Sequence, residues 1–163
     1  MSLLHGTGAQ ISPATALAGA WHLVRWDISY SDGRPTTLPY GDQACGTILY
    51  TDDGWMSACI ARGDRPKLSS ASVRSAPESE RLAAFESYFQ YSGPYTLQTV
   101  DGQLQVAHRV TMALNPNFVG TEQVRNATFS GDDGLTLSAS DTVPGGHVAR
   151  HHRLIWSRRK PQP

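Results

Sequence analysis

Four tight turn signals divide the later part of this sequence: Asp52-Asp53-Gly54, Val100-Asp101-Gly102, Gly131-Asp132-Asp133-Gly134 and Pro144-Gly145-Gly146. Each lies between segments suited to β-strands, and a turn this short returns the chain antiparallel to itself. The clearest case joins 45–51, which contains Thr47, Ile48 and Tyr50, to 55–62. A two-residue turn at Asp53-Gly54 would set Ile48 opposite Cys59 and Arg62 opposite Cys45. Ahead of it, 20–30 alternates, with His22, Val24, Trp26, Ile28 and Tyr30 on one face and Trp21, Leu23, Arg25 and Asp27 on the other.

Further strands are expected over 95–99, 103–114, 120–129, 135–140 and 147–158, which makes eight in all. Pro77-Glu78-Ser79-Glu80 opens one helix, because acidic residues favour a helix N-terminus and Leu82, Phe85 and Phe89 recur at helical spacing. Its end is expected near Tyr91, with the apolar stripe lying on a sheet or barrel. The expected fold class is all-β: an eight-stranded antiparallel up-and-down β-barrel with one short helix, wide enough inside for one small ligand. A two-sheet sandwich is the alternative. A chain of 163 residues suits one domain. Its expected parts are a flexible N-terminal arm (1–18), the barrel (19–158) and a C-terminal tail (159–163).

The 14 basic and 14 acidic residues give zero net charge. Gripping phosphate backbones takes a net basic face, so no nucleic acid is expected as partner. Arg158-Arg159-Lys160 reads as part of a solvated tail. No apolar run reaches the roughly 18 residues of a membrane span, and residues 1–11 lack the basic start and apolar stretch of a signal peptide. The expected location is therefore cytoplasmic, with no membrane partner. There Cys45 and Cys59 are expected to stay reduced. Zero net charge removes the repulsion that keeps copies apart, which admits a homo-oligomer.

Leu17-Ala18-Gly19-Ala20-Trp21-His22-Leu23 holds the Gly-x-Trp that starts the first strand of lipocalins. It is followed in order by Gly46-Thr47-Ile48-Leu49-Tyr50-Thr51-Asp52-Asp53-Gly54-Trp55-Met56-Ser57, by Tyr91-Ser92-Gly93-Pro94-Tyr95, and by Asn115-Pro116-Asn117-Phe118-Val119-Gly120 with Gln123 and Arg125. In these stretches the chain resembles the bacterial and fungal lipocalin-like domain family over 17–158. The resemblance implies an antiparallel calyx with a central cavity and a helix near one rim. It also implies that Trp21 packs at the closed end against Arg158 or Arg159 through a cation–π contact. For function it implies a part in small-molecule biosynthesis, either binding a hydrophobic metabolite or shaping its cyclisation or isomerisation. The sequence departs from the pattern where Arg109 replaces a second His beside His108, and where Phe118 replaces a more usual Trp. Both changes retune a pocket, so the ligand does not carry over from the family.

His108 alternates with Val106 and Val110, with Met112 and Leu114 continuing that face. An internal imidazole there is either an acid/base or a core histidine satisfied by a hydrogen bond. Arg125 follows Gln123 at period two on the next strand. Facing a cavity it would hold a carboxylate or enolate oxygen, and otherwise it would pair with Glu122 or Asp141. Tyr50, Tyr91 and Tyr95 are candidates for the cavity mouth. Trp26 and Trp156 would fill the barrel or form a stacking wall, and Asn117 is either a ligand contact or a turn residue. His147, His151 and His152 do not suit a metal, since on a strand the first two stand about 13 Å apart and the last two face opposite ways. No nucleophile elbow, Cys–His neighbour or phosphate-cradling loop is present, so no cofactor is implied.

The function expected from the sequence is a cofactor-independent small-molecule enzyme of natural-product metabolism, an isomerase or cyclase of a hydrophobic oxygenated metabolite. His108 would move the proton and Arg125 would steady negative charge. The alternative is a non-catalytic binding or carrier protein for a small hydrophobic ligand. A third reading is a filled barrel that serves as an interaction module.

Overall fold

The computed structural model describes residues 11–159. Its strands are β1 (Gly19–Tyr30), β2 (Cys45–Tyr50), β3 (Trp55–Ala61), β4 (Tyr88–Val100), β5 (Gln103–Arg109), β6 (Met112–Ala113), β7 (Glu122–Ser130), β8 (Gly134–Thr142) and β9 (Ala149–Ser157). All but β6 form one antiparallel meander that β9–β1 pairing closes into an eight-stranded barrel. Closure leaves none of these strands with a free edge along its whole length. The two-residue β6 pairs with β4 at Tyr91 and Ser92.

The β2–β3 hairpin forms as its turn signal demands, one residue out of the expected register. Tyr50 faces Met56, Thr47 faces Cys59 and Cys45 faces Ala61. Thr51 N donates to Trp55 O at 2.8 Å, so the loop is the three residues Asp52-Asp53-Gly54. Gly54, at φ 90°, takes the left-handed conformation that such a loop needs. Both cysteines are free.

In β1 the expected single inner face does not exist. Leu23 pairs with Trp156 but Arg25 pairs with Ile155, so a bulge at Val24 switches the parity. Before the bulge Trp21 and Leu23 enter the core, and after it Trp26 packs against that core while Val24 is exposed.

The expected helix is shorter than its periodicity suggests. The helix Glu78–Glu86 ends where Ser87 Oγ donates to the Ala83 carbonyl. Phe89 belongs to β4, while Leu82 and Phe85 remain about half exposed rather than lying on the barrel. The fifth strand likewise stops at Arg109, and Met112 is exposed instead of continuing the His108 face. Gly93 permits the segment after Arg109 to pass close to β4, because a Cβ there would clash with Arg109 O.

The helices are α1 (Pro13–Leu17) and α2 (Glu78–Glu86). α1 corrects the expectation of a loose arm up to residue 18: it is too short to show a period, yet it closes one barrel end. Ser12 caps it by accepting from Thr15 N, and Leu17 is fully buried. Trp21 Nε1 donates to Leu17 O at 2.8 Å. Arg158 is likewise part of the barrel and not of a tail, stacking 4.0 Å from the Trp21 ring centroid and donating to Ala18 O and Ala16 O. Arg159 pairs with Asp133. The rest of the expected arm, 1–10, and of the tail, 160–163, lies outside the described residues. Among the described residues no helix is long and apolar enough to cross a membrane.

Candidate functional site

The half of the barrel away from α1 holds a cavity of about 420 Å³. Every strand of the barrel except β5 contributes to its wall. Ile48 of β2, Ala58 and Ile60 of β3, and Leu137 and Leu154 of β8 and β9 are apolar lining. Trp26, Phe89, Tyr91, Phe118 and Trp156 supply rings, with Phe89 edge-on to both Tyr91 (5.5 Å) and Phe118 (5.6 Å). Tyr40, from the loop after β1, stands edge-on to Trp26 at 5.3 Å.

Apart from Tyr91 and the two indoles, polar lining is confined to one side. It comprises Glu122, Gln123 and Arg125 of β7, Ser140 and Asp141 of β8, and His152 of β9. The Arg125 guanidinium donates to Val124 O at 2.9 Å and to Gln123 Oε1 at 3.2 Å. Gln123 is itself oriented by donating to Thr121 Oγ1. Neither Glu122 nor Asp141 pairs with Arg125. Asp141 is instead held by Arg150 at 2.6 Å, which lowers its pKa. His152 Nε2 lies 3.4 Å from Asp141 Oδ1, outside good hydrogen-bond alignment, and burial lowers its pKa against the pull of that carboxylate.

His108 is inside the barrel but behind the cavity wall. It is fully buried, with Tyr50 Oη 2.8 Å from Nε2 and Tyr91 Oη 2.8 Å from Nδ1. Burial, helped by the charge of Arg125, lowers its pKa to about 3, so the ring is neutral at physiological pH. Burial raises both tyrosines' pKa values as well. Of this trio Tyr91 alone lines the cavity.

The residues expected at the site therefore divide. Trp26, Tyr91, Gln123, Arg125 and Trp156 meet on the cavity, while His108 and Tyr50 lie behind it. Tyr95 donates to Thr51 O, and Asn117 N donates to Asn115 Oδ1 in a 3-10 turn (Pro116–Phe118), so neither lines the cavity. Sequence reasoning missed Phe89, Phe118 and His152 as lining, and met Glu122 and Asp141 only as partners for Arg125. Stepping by two from Trp156 through Leu154 reaches His152, and from Tyr91 it reaches Phe89.

The profile of the lipocalin-like domain family matches residues 18–159. The chain belongs to this family. A relative of this lipocalin-like protein, the 4'-hydroxy-3'-methoxypropiophenone carrier protein ppsC of Aspergillus oryzae, is 32% identical over 105 residues, or 62% of this chain and 94% of that one. A redesigned β-barrel aligns at a TM-score of 0.40 with 12% identity, covering 90% of this chain and 95% of its own. Insecticyanin from the tobacco hornworm Manduca sexta aligns at 0.40 with 12% identity, covering 88% of this chain and 62% of its own.

Proposed function

We propose that this lipocalin-like barrel binds and carries one small, largely apolar ligand bearing an oxygen acceptor, and releases it unchanged. The observation that carries this reading is the Arg125 guanidinium, held on an aromatic-walled cavity of about 420 Å³ with no carboxylate partner among the described residues. That volume falls in the range of roughly 300–1,000 Å³ typical of small-molecule pockets. A cation facing mostly apolar lining gains most from a ligand that brings it an oxygen. The relative's ligand, by its name a phenolic aryl ketone, has that chemistry.

The isomerase or cyclase reading would use the same cavity but needs an acid/base in contact with the bound molecule. His108 has both nitrogens engaged by tyrosines and lies behind the wall. Asp141 is engaged by Arg150, and His152 leans toward Asp141. Carriage therefore fits the geometry better.

Titration of 4'-hydroxy-3'-methoxypropiophenone against the fluorescence of the wall indoles Trp26 and Trp156 tests the reading. Saturable one-to-one quenching that weakens in Arg125→Met supports it. Absence of saturable binding, or chemical conversion of the ketone, overturns it.

A further inference from the structure

We infer that Tyr91 offers its hydroxyl hydrogen to the ligand, that His108 positions that hydrogen by carrying its own proton on Nδ1, and that the cavity thereby selects an acceptor oxygen. This rests on the binding reading above and names the chemistry of the ligand's polar end.

Tyr50, His108 and Tyr91 form a chain of two hydrogen bonds, Tyr50 Oη to Nε2 and Tyr91 Oη to Nδ1, each 2.8 Å. A neutral imidazole has one N–H and one lone pair, so one tyrosine must donate to it and the other must accept from it. Three polar hydrogens share two bonds, and one hydroxyl hydrogen is left over. With the proton on Nε2 the spare hydrogen belongs to Tyr50, and with the proton on Nδ1 it belongs to Tyr91.

The two places are not equivalent. Tyr50 is 2% exposed and off the cavity, packed edge-on against Tyr95 at 5.0 Å. His108 is the one hydrogen-bond partner of its hydroxyl among the described residues. A hydrogen stranded there would be a buried unsatisfied donor, which is disfavoured. Tyr91 lines the cavity, where water or a ligand can take the hydrogen. Tyr91 is nearly as buried, at 4% exposed, so what separates the two is the cavity that Tyr91 lines: this puts the proton on Nδ1, makes Tyr50 the donor to Nε2, and leaves Tyr91 with a free O–H.

Three other groups on the wall agree in sign, although the exposed Glu122 carboxylate lines it too without a partner among the described residues, and His152 Nε2 is likewise unpartnered. The Arg125 guanidinium is a donor, and the indole N–H groups of Trp26 and Trp156 are buried without partners. The Gln123 carbonyl and the Asp141 carboxylate are already engaged. The complement is an oxygen rich in lone pairs, as in a ketone, enolate, phenolate or carboxylate.

Histidine-selective 15N labelling reads the tautomer without any ligand. The expected two-bond correlation shows a protonated Nδ1 and a pyridine-like Nε2 for the resonance that disappears in His108→Asn. A protonated Nε2 would overturn the inference. Affinity for 4'-hydroxy-3'-methoxypropiophenone is then expected to fall about tenfold in Tyr91→Phe and less than about twofold in Tyr50→Phe. Equal losses would overturn it too. If the wild type fails to take the ketone, the binding reading and the acceptor class fall together, while the tautomer stands or falls on the nitrogen spectrum alone.

Discussion

The Arg158 guanidinium lies 4.0 Å from the centroid of the Trp21 ring and donates to the carbonyls of Ala16 and Ala18, tying β1, the end of β9 and α1 into one plug. Removing it loses a cation–π contact and three charge-assisted hydrogen bonds, the third from Nε to Asp132 O at 3.2 Å. Arg158→Ala should lower unfolding free energy by about 2–4 kcal/mol, read from the urea midpoint. Arg158→Lys should recover less than half, since one ammonium cannot match a planar fork that serves three carbonyls and a ring. Full recovery by Lys would show that charge alone matters.

Arg125 has the opposite expectation, because it serves the cavity and not the fold. Arg125→Met should weaken binding of an acceptor-bearing ligand by about ten- to a hundredfold, the range for a charged hydrogen bond. It should leave the urea midpoint unchanged or raise it, since a cation without an acidic partner leaves an apolar wall. Gln123→Leu should weaken binding less, because it only frees the guanidinium to wander.

Histidine 108 makes stability depend on pH. Its folded value of about 3 lies below the unfolded value near 6.5, so the unfolded chain takes up the proton first. Its stabilising contribution is therefore complete above about pH 6.5 and is lost as pH falls toward 3, by about 2 kcal/mol at pH 5. The groups around it, Tyr50, Tyr91 and Arg125, do not change charge in that window. His152, also lowered, adds in the same direction. Urea midpoints between pH 7.5 and 5 should fall less steeply in His108→Asn, and parallel slopes would refute the assignment.

Cys45 and Cys59 are free and do not face one another across β2 and β3. Cys45, exposed, should react with a thiol reagent in the native state faster than the half-buried Cys59. Prior reduction should change neither yield. A gain in titratable thiol on reduction would show a bond that this register does not support.

The strand count of the barrel and its antiparallel order were legible in the sequence because each has a local signal, short Asp-Gly turns and alternation, whereas the packing of Trp21 on Arg158 or Arg159 came only from the family resemblance that the Gly-x-Trp start carries. Register was less legible. Whether Asp52 belongs to the strand or the loop shifts every pair by one, and the Thr51–Trp55 bond decides it. The bulge at Val24 has no signal in composition, yet it brings Trp26 to the cavity. Phe89 fitted two periods at once, helical with Phe85 and alternating with Tyr91, and strand pairing with Ile60 settled the choice. For the site, alternation placed Arg125 and Gln123 together. It set His108 on a face with Val106 and Val110 without deciding that this face is internal, and it could not reveal that two tyrosines from β2 and β4 close around the imidazole.

The central claim is carriage without chemistry, and the most direct measurement is a mass balance. Purified protein is incubated with a small-molecule extract of the organism that carries the gene, and free, bound and new compounds are quantified by liquid chromatography and mass spectrometry. One oxygenated aromatic or similarly apolar compound is expected to be depleted up to one equivalent of protein and recovered intact on denaturation. Consumption beyond that stoichiometry with a new product, or no compound retained at all, would contradict that claim.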